Sequence, residues 1–167
     1  TPAPIVDYLV WTSLSQLFAE RTADELSQLR VLDPSCGCGA FLIGCFRFLI
    51  HWHKGQLGDA ELANQCSIQL MEHAFCGCDI DSRALRWTAR LLLLAAWQGT
   101  RGEVHRSNTD SKIPLPDFKS VLSCRSFLEP AAGGSSVLPE PEYDAIIGGP
   151  PFVRLEALHR SQEDRLR

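Results

Sequence analysis

The sequence predicts an α/β fold, a mostly parallel sheet with helices on both faces. Two observations predict it. Short apolar runs alternate with longer stretches of helical spacing along most of the chain. The first of those runs also enters a glycine turn that feeds straight into an apolar helix, the opening of a nucleotide-binding strand–turn–helix unit.

Residues 4–20 carry Ile5, Leu9, Leu14, Leu17 and Phe18 at helical spacing, and Pro2 and Pro4 suit a first helical turn. Residues 21–28 are polar, with a short turn or helix at 23–26. Leu29–Asp33 is a first strand, Pro34–Gly39 its turn, and Ala40–Lys54 an apolar helix broken by Gly55-Gln56-Leu57-Gly58. Asp59 caps a helix that runs to about His73. Ala74–Asp79 is a second strand ending in an acid, and Ser82–Gln98 is a helix stopped by Gly99. Residues 101–117 form a loop. Lys119–Ser123 is a third strand candidate and Tyr143–Ile147 a fourth. Between them, residues 129–141 are rich in Gly, Pro and Ser and form a flexible connection. Leu155–Leu166 has helical spacing and many charges.

A chain of 167 residues fits one domain, 1–167, with a sizeable core, and 45% apolar with 22% charged residues is ordinary for a globular protein. No apolar run is long enough to span a bilayer, and no signal peptide is visible, so neither a membrane nor secretion is expected. The net charge of −4 speaks against this piece alone gripping a nucleic-acid backbone. Seven cysteines in no disulfide spacing read as reduced thiols in the cytoplasm. Cys36-Gly37-Cys38 and Cys76-Gly77-Cys78 bring zinc to mind, but a zinc knuckle separates its cysteines by two residues or more, so no metal is expected. The chain opens at Thr1 without Met and stops at Arg167 in a charged stretch, which reads as a piece of a longer protein.

The strand ends carry the candidate chemistry. Gly37 and Gly39 allow a backbone to approach a ligand closely, and the helix from Ala40 points amide hydrogens at the turn. Asp33 can accept a hydrogen bond from an ammonium, Asp79 can hold two ribose hydroxyls, and Ile80 can pack on an adenine ring. Asp81 caps the helix at Ser82. Pro150-Pro151 makes a stiff loop in which the carbonyl of Gly149 or Pro150 faces a ligand and Phe152 offers a stacking surface. Each feature also has a bland reading: a tight turn without ligand, a helix cap at Asp79, a structural Pro-Pro loop.

Four segments in one order resemble the gamma group of adenine-specific DNA methyltransferases of restriction-modification type. They are Thr1–Val10, Asp33-Pro34-Ser35-Cys36-Gly37-Cys38-Gly39-Ala40-Phe41-Leu42, Cys78-Asp79-Ile80-Asp81-Ser82-Arg83-Ala84-Leu85 and Asp144–Arg154. The resemblance implies a Rossmann-like methyltransferase fold with S-adenosyl-L-methionine as cofactor. It implies that the family's C-terminal strands and target-recognition region are missing from this chain. By the same resemblance Thr1 covers the methionine end of the cofactor, Asp33, Ser35 and Gly37 line the methionine and sulfonium, and Asp79 and Ile80 take the ribose and adenine. Gly149, Pro150, Pro151 and Phe152 hold a target adenine flipped out of the duplex. The implied partner is double-stranded DNA, gripped through the missing C-terminal region, with room for a partner subunit.

Two positions depart from the family's pattern. The family carries Asn, Asp or Ser before Pro-Pro, and this chain carries Gly149, which has no side-chain acceptor. Three explanations follow: an inactivating substitution, a fold that holds the cofactor without methyl transfer, or another group standing in. Arg125 falls near a position where the family often has an acid, and a guanidinium accepts no hydrogen bond. The competing reading is therefore a catalytically dead module that binds DNA or a partner protein. A methyltransferase for protein glutamine or RNA shares the Pro-Pro-aromatic loop but not an opening like Thr1–Val10.

Overall fold

The computed structural model describes residues 1–100, 117–118, 120–127 and 143–150. Helix α1 (Ala3–Ala19) begins with Pro4 in its first turn and buries Val6, Val10, Leu14 and Phe18, one side chain per turn. Helix α2 (Ala23–Ser27) is a single short turn made stable by a capping box. Thr22 Oγ1 accepts from the Glu25 amide at 3.4 Å, and the Glu25 carboxylate accepts from the Thr22 amide at 2.8 Å.

Strand β1 (Val31–Asp33) leads through the glycine turn into α3 (Ala40–Leu57), and α4 (Ala60–Ala74) returns the chain to β2 (Phe75–Asp79). Helix α5 (Ser82–Thr100) carries it on to β3 (Leu122–Cys124), and β4 (Ala145–Ile146) completes the described sheet. All pairings are parallel and the order is β3-β2-β1-β4. This is a Rossmann-like α/β architecture, a parallel sheet flanked by helices, as the sequence predicts.

The core lies where Val31 and Phe75 meet α1, α3, α4 and α5, through Leu14, Leu42, Leu49, Met71 and Leu92. Strand alternation turns Leu32 and Cys78 to the other face of the sheet, and both are fully buried there. Asp144 fixes the entry of β4: it pairs with Arg21 at 2.6 Å and accepts the Arg30 amide at 2.8 Å.

Strands β1 and β4 start two residues later than predicted, at Val31 and Ala145, and three further boundaries move. Gly55 does not break α3, which runs on to Leu57 and stops at Gly58, where φ is 69° and the amide returns to the Lys54 carbonyl at 3.0 Å. One glycine inside a helix costs only ~1 kcal/mol, and the left-handed cap is the real stop. Helix α5 likewise passes Gly99 by one residue. The third strand starts late because the Phe118 carbonyl draws the amides of Val121 and Leu122 into a turn at 3.2 and 2.9 Å. Of the predicted loop over 101–117 only Asp117 is described. The connection over 129–141 and the helix over 155–166 lie outside the described residues, as do Pro151 and Phe152.

Candidate active site

In an open parallel sheet, ligands sit outside the carboxyl ends of the strands where the strand order reverses. Here that point falls between β1 and β4, because the chain leaves β1 toward β2 on one side and β4 closes on the other. The ends of β1, β2 and β4 bring together Asp33, Asp79 and Gly148-Gly149-Pro150, with Thr1 and Phe41 beside them.

The glycine turn after β1 is tightly determined. Gly37 and Gly39 hold φ of 53° and 80°, a region that side chains with a Cβ rarely occupy. The turn is closed by the Gly39 amide on the Cys36 carbonyl at 2.7 Å, and tied to β2 by the Cys36 amide on the Cys78 carbonyl at 2.9 Å. Thr88 of α5 locks it from behind. Its hydroxyl reaches the Gly37 carbonyl at 2.8 Å, and a Cβ on Gly39 would fall 2.5 Å from its methyl carbon. Sequence reading missed Thr88. The available signal was a hydroxyl on the otherwise apolar face of an amphipathic helix.

Asp79 joins the two strand ends. One carboxylate oxygen accepts the Gly37 amide at 2.8 Å and the other accepts the Asp81 amide at 2.9 Å. A carboxylate offers about four acceptor directions, so each oxygen keeps room for a further donor. Asp81 is the α5 cap, accepting the Arg83 amide at 2.8 Å. Ile80 follows with 76% of its surface exposed, an available wall for a flat ligand.

Asp33 is the strained group. It is only 2% exposed, Oδ1 accepts the Ser35 amide at 3.2 Å, and Oδ2 has no partner. The Ser35 hydroxyl is buried without one as well. Burial, with the negative charge of Asp79 adding to it, pushes the Asp33 carboxyl up to about 7 against the opposing Ser35 hydrogen bond. A buried acceptor left open beside a second acid is chemically suited to a cation.

Gly148 and Gly149 complete the crevice from β4. A Cβ on Gly148 would lie 2.6 Å from Asp33 Oδ1, so glycine is required for the strand end to pass the carboxylate. A Cβ on Gly149 would lie 3.1 Å from Thr1 Oγ1 and 3.2 Å from Phe41 Cε2, close but negotiable.

Arg125 stands at the end of β3. Its amide donates to the Asp79 carbonyl at 3.0 Å. Its guanidinium is directed to Cys78, a thiol held below its ordinary range by hydrogen bonds from Cys76, then Ser123 and Arg125. All seven cysteines are free, and burial pushes Cys36 up to about 12, far from a metal-binding thiolate. Among the described residues no three His, Cys, Asp or Glu side chains cluster to hold a metal, and no helix is long and apolar enough to cross a membrane.

Comparison with curated proteins finds no match. A family model does match: that of the MmeI DNA-methyltransferase domain, over residues 13–167. The match takes in the glycine turn, the acid at the end of β2 and the Gly-Gly-Pro end of β4, and leaves out residues 1–12, which include Thr1 and the first turns of α1. A match over nearly the whole chain, on a parallel sheet with these strand ends, means that the chain belongs to the family of MmeI DNA-methyltransferase domains.

Proposed function

We propose that this chain is the cofactor-binding and base-holding part of a site-specific DNA adenine-N6 methyltransferase of a restriction-modification system. The observation that carries the cofactor reading is the open carboxylate of Asp33 at the switch point, 2% exposed and lacking a partner on Oδ2. S-adenosyl-L-methionine supplies an electrophilic methyl group and brings an ammonium and a sulfonium, the charges such a site favours.

In this reading Asp33 and the Ser35 hydroxyl hold the ammonium end, with Thr1 over the methionine. The backbone at Gly37 passes close to the ligand. Asp79 accepts from the ribose hydroxyls while keeping its bonds to Gly37 and Asp81, and Ile80 covers one face of the cofactor adenine. Binding becomes stronger with rising pH, because a neutral Asp33 must lose its proton, at about 7, before it attracts a cation. Pro150 turns its carbonyl to the amino group of the flipped adenine, and Phe152 stacks on the base. That carbonyl holds one amino hydrogen and so helps aim the nitrogen lone pair at the methyl. Double-stranded DNA is the partner, read by a recognition region beyond these residues.

Gly149 favours a second reading, a domain that keeps the cofactor but does not transfer the methyl group. The test uses the protein together with its DNA-reading region, tritiated S-adenosyl-L-methionine and unmethylated genomic DNA. Label in N6-methyladenine supports the first reading, and Asp79→Ala should abolish cofactor binding. Tight cofactor binding with no label, both in the parent chain and in Gly149→Asn, would favour the second.

A further inference from the structure

We propose that the Thr1 hydroxyl replaces the missing side-chain acceptor beside Pro150, making Thr1 a base-positioning residue. The inference rests on the adenine-N6 reading above and concerns the same site.

The position from which a side chain at residue 149 would project has two close neighbours. One is Phe41, 3.2 Å away through Cε2, a buried ring in the first turn of α3. It offers an apolar wall and no lone pair. The other is Thr1 Oγ1, 3.1 Å away. An asparagine there would carry its oxygen two bonds beyond Cβ, into the space that these two groups border. The Thr1 oxygen already stands at its edge.

The chemistry of that oxygen fits the task. A hydroxyl has two acceptor lone pairs and one proton that rotates to suit its surroundings. Its hydrogen can be donated in a hydrogen bond away from the crevice while a lone pair faces it. Thr1 lies directly before the start of α1, where the Pro2 carbonyl receives the amides of Ile5 and Val6 at 3.0 and 3.2 Å. Pro2 itself has a fixed φ of −60°. A threonine thus stands just ahead of the helix start, next to the position that Gly149 leaves bare.

The adenine amino group needs two acceptors, one for each hydrogen, so that its lone pair stands clear. The Pro150 carbonyl provides one and Thr1 Oγ1 the other. The lone pair forms the new N–C bond, the methyl–sulfur electron pair leaves with sulfur, and one amino proton passes to solvent.

The decisive experiment compares the parent protein, carrying the region that reads DNA, with Thr1→Val, Thr1→Ser, Gly149→Asn and Thr1→Val/Gly149→Asn. Single-turnover methyl transfer to unmethylated genomic DNA is measured at saturating S-adenosyl-L-methionine, and cofactor Kd is measured separately. Loss of one aimed hydrogen-bonding group costs ~100-fold or more in rate. Thr1→Val should therefore slow transfer ~100-fold even with the cofactor site saturated, Thr1→Ser should restore it, and adding Gly149→Asn to Thr1→Val should restore it too. A Thr1→Val chain with weaker cofactor binding but normal saturated rate overturns the proposal, since Thr1 would then serve the methionine end alone. A parent chain that is silent while Gly149→Asn is active also overturns it and leaves the adenine-N6 reading standing. Silence of both, with cofactor bound, overturns that reading and this proposal together.

Discussion

The turn after β1 and the end of β4 face each other across one crevice, and both are rich in glycine, but for different reasons. At Gly37 and Gly39 the backbone itself demands glycine, through positive φ, and Thr88 leaves no room above Gly39. At Gly148 the demand comes from a neighbour, the Asp33 carboxylate. At Gly149 neither applies: φ is not positive, and the nearest atoms would have to yield only a few tenths of an ångström. Two glycines are fixed by conformation, one by a contact, and one by nothing in the fold. Gly149 is therefore the position where the chain's chemistry can change without changing its structure.

The largest expected effect tests the group between the two regions. The Asp33 carboxyl is raised from 3.8 to about 7. The folded state then binds more protons than the unfolded state between those values, and stability falls as pH rises through them. At 1.36 kcal/mol per unit the cost is about 4 kcal/mol above pH 7. Asp33→Asn should stabilise the free protein by about that much at pH 8 and hardly at all near pH 4, as read by urea denaturation at the two pH values. A pH-independent gain would mean that Asp33 is already neutral or paired. The same variant should lose cofactor affinity, so stability and binding move in opposite directions.

Next is the conformational glycine. In Gly39→Ala a positive φ and the clash with Thr88 act together, and a loss of about 3 kcal/mol is expected. Adding Thr88→Ser, which removes the obstructing methyl and keeps the hydroxyl, should recover part of it. No recovery would assign the whole cost to φ.

The smallest effects separate the two β4 glycines. Gly148→Ala should cost about 2 kcal/mol as the carboxylate is displaced, and Gly149→Ala less than about 1 kcal/mol. Equal thermal shifts for the two would erase the distinction drawn between contact and freedom.

The sequence made the first region legible because its constraints are local. An apolar run, an acid, spaced glycines and a helical period fix the turn between Asp33 and Ala40, and an acid at a strand end marks Asp79. Gly55 and Gly99 misled because glycine is only mildly unfavourable in a helix, and tertiary packing around α3 and α5 outweighed it. Lys119–Ser123 reads as a strand from its composition, but a turn around the Phe118 carbonyl delays pairing. The unsatisfied oxygen of Asp33, the bond from Thr88 to Gly37 and the approach of Thr1 to Gly149 join residues far apart in the chain. Such relations are properties of the assembled crevice and leave no periodicity to read.

The bond from the Gly37 amide to the Asp79 carboxylate has a spectroscopic consequence. This N–H belongs to no helix or strand ladder, so its protection from solvent exchange depends on that one carboxylate. A ligand that draws Asp79 toward itself must lengthen or sharpen the same bond. The nitrogen resonance of a single glycine thus reports on the tips of two neighbouring strands, and it would register occupancy of the crevice before any methyl group moved.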